Sequence, residues 1–381
     1  MDFALSEDQR AIFDMARDFG RDRIEPLAAD WEVAGTIPRE VLTEAAALGL
    51  GALYVPEDMG GSGLSRLDAA LVIEALSMAC PSVASFISIH NMCAGMVAAY
   101  GSEEIRARYL PGLASMEAVC SYCLTEPGSG SDAAALRTKA ERRGDEIVLN
   151  GTKAFISGGG YSDLYLAMVR TGAEGPKGIS AVLVETGTPG LSFGAQERKM
   201  GWKAQPTAAV QFDGCRIPAT NLLGEEGKGF AYAMAGLDGG RLNIAAAALG
   251  GAQAALEKAL AYTGERTAFG QPLDRFQALQ FRLADMETEL QAARIFLYQA
   301  AWKYDTSAPD RTKACAMAKR FVTDTAFRVA NDALQLLGGY GYLADYGIEK
   351  IVRDLRVHQI LEGTNEIMRV ITARALLAER P

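Results

Sequence analysis

One carboxylate in the sequence has neighbours that would suit proton abstraction. Glu362 follows the apolar segment at residues 357–361 and is followed by Gly363 and Thr364. Thr364 and the residues after it predict an amphipathic helix whose apolar face holds Ile367, Val370, Ile371, Leu376 and Leu377. Glu362 is therefore expected in a turn against apolar surface, where the pKa of a carboxyl rises and suits a general base. A solvated loop carboxylate is the alternative that the local sequence leaves open.

A glycine-containing loop is predicted at residues 122–132, YCLTEPGSGSD, where a strand ends. Gly128 and Gly130 permit positive φ angles and close approach of the backbone to a ligand. Thr125 and Ser131 offer hydroxyl groups, and successive backbone N–H groups could hold an anion. An ordinary turn would have the same composition, so this loop alone indicates a ligand site only weakly.

Two further strings combine glycine with residues that bind anions or rings. Arg266 begins the string RTAFGQP, and residues 335–342 read QLLGGYGY, which also suits the end of a helix. Residues 238–241 read DGGR inside a predicted long helix, where each glycine costs roughly 1 kcal/mol relative to alanine. Close packing or the approach of a ligand is the expected reason for Gly239 and Gly240.

Together with ILEGTNEIMR at residues 360–369, these strings resemble the acyl-CoA dehydrogenase family in order and spacing, over essentially the whole chain. The resemblance implies that Glu362 removes the α-proton of an acyl-CoA thioester while a hydride leaves the β-carbon for flavin N5. It also implies that the Glu362 backbone N–H and a flavin ribityl hydroxyl polarise the thioester carbonyl. An electron-transfer flavoprotein would then take the electrons. A flavin oxidase and a FAD-binding relative without turnover remain alternatives.

The resemblance also assigns FAD contacts to two groups of residues. The first group lies near the flavin ring, although an ordinary core side chain is the alternative for its phenylalanine: Tyr122, Cys123, Leu124, Thr125, Gly130, Ser131, Phe155, Ile156 and Ser157. Thr364, Asn365 and Glu366 are also assigned to FAD, without a part of the molecule specified. The second group lies at the pyrophosphate and adenine end: Arg266, Phe269, Phe276, Gln277, Gln335, Leu336, Leu337, Gly338 and Gly339. Arginine suits pyrophosphate as a planar, always-charged donor. In the family, Arg266 and Phe269 would reach the FAD of a neighbouring subunit, which implies a homotetramer built as a dimer of dimers.

The residues expected near the acyl-CoA are Ser131, Asp238, Gly239, Gly240, Arg241, Leu361, Gly363 and Arg374. Some family members carry the catalytic glutamate at the position of Gly240, so positions 240 and 362 are alternatives for one role. Leu361 stands where medium-chain members have tyrosine, which fits a shorter, branched acyl group. A structural salt bridge is the alternative for Arg241 and for Arg374.

Composition and charge argue against several other classes of protein. The formal charge of −9 argues against a broad nucleic-acid surface. The six cysteines are scattered, and the Cys120–Cys123 pair is expected as buried thiols of a reducing compartment. With His90 and His358 as the only histidines, no metal site is expected. The N-terminus lacks signal or transit character and no apolar run approaches ~20 residues, so a cytoplasmic protein without membrane contact is expected.

The apolar pattern predicts an α+β protein of three domains. Residues 1–117 are helical in period, with a capping box at Ser6 and helices at 38–48, 66–78, 82–100 and 103–113. Residues 118–228 predict an antiparallel β domain, with strands at 118–124, 138–142, 147–149, 153–157, 164–170, 180–185 and 208–212. Residues 229–381 predict a four-helix bundle, and the resemblance places FAD between bundle and β domain.

One helix of the first domain holds candidates for the floor of a pocket. These are Ser88, His90, Asn91 and Met92, within the helix at residues 82–100. For His90, a core histidine whose nitrogens are satisfied by hydrogen bonds is the favoured alternative.

Overall fold

The computed structural model describes residues 4–379, and its first domain is helical. The helices are α1 (Glu7–Phe19), α2 (Ala28–Ala34), α3 (Arg39–Ala47), α4 (Arg66–Ala79), α5 (Pro81–Tyr100) and α6 (Glu103–Ala114). The predicted capping box opens α1, because Ser6 and Gln9 exchange side-chain-to-backbone hydrogen bonds of 3.1 Å in both directions. A π-helical turn at Gly20–Ile24, which the sequence did not indicate, joins α1 to the segment before α2.

Helix α5 has the predicted extent within one residue but is more apolar than the sequence analysis suggested. Among the described residues it is the one helix long and apolar enough to cross a membrane, by length and composition only, and 83% of that window is buried in the protein. His90 on this helix is fully buried, with Nε2 2.9 Å from the Leu113 carbonyl and Nδ1 accepting from the Cys120 N–H at 3.1 Å. The alternative of a satisfied core histidine is therefore correct for His90, and burial lowers its pKa to about 4.

The second domain is a sheet of eight strands. They are β1 (Cys120–Cys123), β2 (Lys139–Arg143), β3 (Glu146–Ser157), β4 (Leu164–Arg170), β5 (Ile179–Glu185), β6 (Leu191–Phe193), β7 (Thr207–Pro218) and β8 (Leu222–Leu223). Their order is β6-β7-β3-β2-β4-β5-β8, and β1 pairs with β4. The expectation of an antiparallel sheet is wrong at β4: both β1 and β2 run parallel to this strand, so the sheet is mixed.

The strands predicted at 147–149 and 153–157 are one continuous strand, β3. Its pairing with β7 shifts register twice, between Leu149 and Gly151 and between Lys153 and Ile156. Gly151 has a φ of +150°, and a Cβ there would stand 2.6 Å from Thr138 Cα. The residues around Gly151, which the sequence analysis took as a break between two strands, therefore form a β-bulge, which bends a strand without ending it.

The third domain is the helical bundle that the long apolar periods predict. It contains α7 (Gly229–Glu265), a small hairpin of β9 (Thr267–Ala268) and β10 (Gln271–Pro272), α8 (Gln277–Asp305), α9 (Arg311–Leu336), α10 (Ile348–Arg356) and α11 (Asn365–Ala378). Gly250 lets α7 approach α4 closely, since a Cβ there would lie 2.0 Å from the Glu74 carbonyl oxygen. One hydrophobic core runs through α1, α4, α7, α8 and α9, so the first and third domains hold each other in place.

Candidate active site

Glu362 lies in a strained turn between α10 and α11. Its φ is +55° and that of Gly363 is +87°, so two consecutive residues are in the left-handed region. For a residue with a Cβ this conformation costs about 1–2 kcal/mol. Thr364 then caps α11 by accepting a hydrogen bond from the Ile367 N–H at 3.3 Å. The predicted position of Glu362, in a turn just before a helix N-terminus, is the observed one.

The carboxylate of Glu362 is enclosed and left without a partner. Its Oε2 atom is buried and has no hydrogen-bond donor among the described residues. Burial raises the pKa of Glu362 to about 7, against the opposing positive charges of Arg241 and Lys319. A buried oxygen without a donor is free to accept a proton, and a pKa near neutrality suits a general base at physiological pH.

The wall facing this carboxylate is Gly240 of α7. A Cβ at Gly240 would stand 2.7 Å from Glu362 Oε2, so only glycine leaves room for the carboxylate. On the same wall, a Cβ at Gly236 would lie 3.0 Å from Met96 Sδ of α5. Positions 240 and 362 therefore face each other across one space, as two alternative locations for a single carboxylate would require.

The loop after β1 borders the same space. The Tyr122 hydroxyl is buried without a hydrogen-bond partner, and burial together with the Glu362 carboxylate raises the pKa of its phenol well above the ordinary value. Leu124 and Thr125 are half-buried, while Gly130 and Ser131 are exposed. Cys123 is completely buried in the sheet core, so its side chain is directed away from any ligand on this surface.

The glycines of this loop act differently from the expectation. Neither Gly128 nor Gly130 has a positive φ, so the conformational reason predicted for them is wrong. Both have open space where a Cβ would stand. A ligand can therefore approach the backbone closely at these positions, which is the second reason that the sequence suggested.

Phe155 is presented to solvent rather than to the core. It sits in the second bulge of β3 with a φ of +58° and is 67% exposed, whereas Ile156 beside it is buried. The core alternative for Phe155 is therefore wrong. An exposed aromatic ring held on a strained backbone fits the stacking of a flat ring such as isoalloxazine.

The second group of predicted FAD residues gathers around an open pocket of ≈ 470 Å³. It is lined by Tyr262, Arg266, Leu273, Gln335, Leu336, Leu337, Gly338, Gly339, Tyr340 and Leu343. The Arg266 guanidinium lies 5.6 Å from the centre of the Tyr340 ring, and Gly338 has a φ of +58°. An arginine beside an aromatic surface and a glycine turn fits a nucleotide with its pyrophosphate.

The hairpin after Arg266 presents another exposed ring. Phe269 and Gly270 form its two-residue turn with φ angles of +50° and +83°, as the type I′ geometry requires. Phe269 is 96% exposed and contacts Phe276 edge-on at a centroid distance of 6.2 Å. Gln277 begins α8 next to this pair.

The Glu362 region and the Arg266 pocket lie far apart along α7. From Gly240, beside Glu362, to Glu265, beside Arg266, α7 rises about 38 Å at 1.5 Å per residue. Arg266 and its pocket are therefore remote from the Glu362 carboxylate of the same chain.

The residues expected at the acyl-CoA are only partly brought together. Arg241 is buried, and its Nη1 lies 2.5 Å from Asp238 Oδ1. The Nε atom of the same guanidinium is buried without a hydrogen-bond partner among the described residues. Gly239 faces Arg66, whose Cζ would lie 2.7 Å from a Cβ there. Arg374 is exposed about 14 Å along α11 from Asn365, so it stands apart from the Glu362 carboxylate.

Among the residues after Glu362, the structure uses Asn365 for packing and leaves Glu366 exposed. The Asn365 amide donates to Asp324 Oδ1 at 2.7 Å and to Thr323 Oγ1 at 3.0 Å, both on α9. The same helix contributes Lys319, a buried cation beside Glu362 that the sequence did not single out. Its partners are 44 and 46 residues away along the chain, so no local pattern could have indicated it.

Comparison with known proteins covers all three domains. Family models match residues 6–117 (acyl-CoA dehydrogenase, N-terminal domain), 121–215 (middle domain) and 227–377 (C-terminal domain). The chain belongs to the acyl-CoA dehydrogenase family. This membership confirms the predicted family, its fold of helical, sheet and helical domains, and an oxidoreductase activity. The family is FAD-dependent, and FAD complexes occur among the solved structures with this fold, which confirms the predicted cofactor.

Individual relatives resemble this acyl-CoA dehydrogenase closely. It is 56% identical to the mitochondrial isobutyryl-CoA dehydrogenase of Dictyostelium discoideum, over 98% of this chain and 90% of that protein. It is 51% identical to the Bos taurus protein of the same name, with the same coverage. A chain from the structure of the electron transferring flavoprotein of Acidaminococcus fermentans superimposes with a TM-score of 0.97 at 42% identity, covering 100% of both chains.

Proposed function

We propose that the chain dehydrogenates a short, branched acyl-CoA, with isobutyryl-CoA as substrate and methacrylyl-CoA as product, and with Glu362 as the base. The observation that carries the chemistry is the enclosed Glu362 carboxylate, which has no donor and a pKa of about 7. The substrate assignment is supported by the two isobutyryl-CoA dehydrogenases at 51–56% identity. It would place the enzyme in valine breakdown.

Each residue around the Glu362 carboxylate has a distinct proposed role in the reaction. Glu362 accepts the α-proton, and its own N–H, which has no acceptor among the described residues, is available to the thioester carbonyl. Donors aimed at an oxygen that gains negative charge stabilise the transition state strongly. FAD, when bound, supplies the hydride acceptor. Phe155 and the backbone beside Gly128 and Gly130 would hold its ring, and Tyr122 would close the space beside the substrate.

Assembly follows from the separation of the two FAD groups. Because about 38 Å of α7 lies between them, we propose that a neighbouring subunit supplies Arg266 and its pocket, within a homotetramer built as a dimer of dimers. Arg266→Ala should then lose FAD and weaken subunit association together. Sedimentation and flavin absorbance measure both, and a variant that binds FAD normally would contradict this placement.

An electron-transfer flavoprotein is the proposed electron acceptor, and the cytoplasm is the proposed location. The acceptor is supported by the family resemblance and by the fold shared with a chain from an electron transferring flavoprotein structure. Formation of peroxide instead, in air and without an added acceptor, would indicate a flavin oxidase.

Anaerobic titration with isobutyryl-CoA is the decisive test of the reaction. The flavin absorbance should fall in proportion to added substrate, and methacrylyl-CoA should appear in equal amount. A panel with 2-methylbutyryl-CoA, isovaleryl-CoA and butyryl-CoA, compared by kcat/KM, then ranks the acyl groups. Fastest turnover of 2-methylbutyryl-CoA would reassign the substrate and keep the chemistry, whereas a flavin that no acyl-CoA bleaches would refute both.

A further inference from the structure

Beside Glu362 lies a buried cation that the proposed reaction does not yet use. The side chain of Lys319 is 0% exposed, and its Nζ donates to the Gly363 carbonyl at 2.8 Å and to Asn365 Oδ1 at 2.9 Å. Burying an ammonium group is costly unless a carboxylate or several acceptors compensate for it. Both acceptors here are neutral, so the position needs a reason other than the pairing of charges.

Both acceptors of Lys319 belong to the turn that carries Glu362. Gly363 is the next residue, and its φ of +87° follows the +55° of Glu362. Asn365 begins α11 and is itself held by Asp324 and Thr323 of α9. One face of α9 therefore fixes the strained turn, and the Gly363 carbonyl that Lys319 bonds belongs to the residue next to the base.

The charges around the carboxylate single out Lys319. Two cations act on Glu362: Arg241 from α7 and Lys319 from α9. Arg241 is already compensated by Asp238 at 2.5 Å, whereas Lys319 has no carboxylate within ion-pair distance among the described residues. The remaining groups that face Glu362 are Tyr122 from β1 and Cys93 from α5, and burial favours the neutral form of both.

Lys319 in turn feels Glu362 most strongly among its neighbouring charges. Burial lowers the pKa of Lys319 to about 7, and Glu362, Asp324 and Glu366 oppose this while Arg241 adds to it. The four charges come from α7, α9, the Glu362 turn and α11. A neighbouring positive charge favours the ionised form of a carboxyl.

We propose that Lys319 is a positioning residue for the base: its ammonium form holds the turn through the Gly363 carbonyl and Asn365 and places a positive charge beside the Glu362 carboxylate. The inference rests on the proposed role of Glu362. Without that charge, the carboxylate would keep its proton to higher pH, and a smaller fraction of the enzyme would carry a competent base at neutral pH.

Two substitutions separate the charge of Lys319 from its hydrogen bonds. Lys319→Gln keeps N–H donors for the turn and removes the charge, whereas Lys319→Arg keeps the charge. Thr323→Val is the matched control, because it removes a contact to Asn365 without changing any charge. In the FAD-loaded enzyme, the pH midpoint of single-turnover flavin reduction should rise by about one pH unit in Lys319→Gln. It should stay at the wild-type value in Lys319→Arg and Thr323→Val.

A direct titration of the carboxyl group gives a readout independent of turnover. Difference infrared spectra recorded against pH should show the carboxyl band of Glu362, which is identified by its loss in Glu362→Gln. The pH midpoint of this band should be about one unit higher in Lys319→Gln than in wild type. An unmoved midpoint in Lys319→Gln, with Glu362→Gln inactive, would overturn this inference alone and leave Lys319 a structural contact. Near-normal flavin reduction by Glu362→Gln would overturn the proposed base, and this inference with it.

Discussion

Two glutamates of the molecule, Glu126 and Glu362, have a carboxylate oxygen shielded from solvent and a fully buried lysine beside them, and they are built in opposite ways. Glu126 in the β domain accepts from Lys153 Nζ at 2.8 Å, from the Arg137 N–H at 2.6 Å and from the Thr138 N–H at 2.9 Å. Burial opposes ionisation of Glu126, but these donors lower its pKa below the ordinary value. Glu362 has a comparable neighbour in Lys319 but no donor on Oε2, and burial raises its pKa to about 7.

The difference lies in where each lysine directs its hydrogen bonds. Lys153 bonds the carboxylate itself and ties Glu126, in the loop after β1, to β3, while the Arg137 and Thr138 N–H groups tie it to the segment just before β2. Lys319 bonds the backbone and amide beside its glutamate and leaves the carboxylate free. A buried carboxylate can therefore hold a fold together or exchange a proton, and its direct donors decide which.

The largest effect should come from Glu362→Gln. The amide keeps the shape of the side chain but cannot accept the α-proton, so flavin reduction by acyl-CoA should slow by at least ~10²–10⁴-fold. FAD content and acyl-CoA binding should stay near wild type, because no hydrogen bond to Oε2 is lost. Anaerobic stopped-flow absorbance measures the rate. A near-normal rate would place the catalytic carboxylate elsewhere.

Glu126→Gln should instead act on stability. It leaves the buried Lys153 ammonium without its ionic partner, and breaking a buried pair in this way costs about 3–5 kcal/mol. Chemical unfolding at pH 7 with saturating FAD measures the loss. Lys153→Met should cost a similar amount, and the double variant less than the sum, as expected for groups in direct contact. Additive losses would show that the two side chains act independently.

The sequence predicted one of these two glutamates. Glu362 could be found because its turn, its apolar neighbours and its family string are contiguous. Glu126 lies in an equally specific string, but its partner Lys153 comes from β3 and its partner Thr138 from the segment just before β2, so its structural role was not predictable. The exposure of Phe155 could not be predicted either, because the bulge that turns its side chain outward depends on the pairing register of β3 with β7. Patterns along the chain located the elements, and pairing between them decided which side chains were used.

The pH dependence of stability should distinguish wild type from Glu362→Gln. The folded-state pKa of about 7 is above the ordinary 4.5, so between these values the native state holds a proton that the unfolded chain has lost. Stability attributable to Glu362 therefore falls as pH rises through this window, by up to about 3 kcal/mol at 1.36 kcal/mol per pKa unit. Glu362→Gln should match wild type near pH 4.5 and become more stable above pH 7. Thermal unfolding at both pH values, with equal FAD, tests this, and a constant difference would mean that Glu362 titrates normally.

The smallest effect is expected when the carboxylate is moved rather than removed. A Cβ at Gly240 would stand 2.7 Å from Glu362 Oε2, so a glutamate at position 240 needs position 362 emptied. In the double variant Glu362→Gly with Gly240→Glu, the new carboxylate would enter the same space, and glycine would tolerate the +55° φ at position 362. It should recover about 10-fold in rate over Glu362→Gly alone, a fraction of what a well-placed base supplies. Glu362→Gly with Gly240→Gln is the matched control, since it fills the space without a base. Equal rates for the two double variants would show that an unpartnered carboxylate in this space is not sufficient, and that the turn held by α9 is part of what makes Glu362 a base.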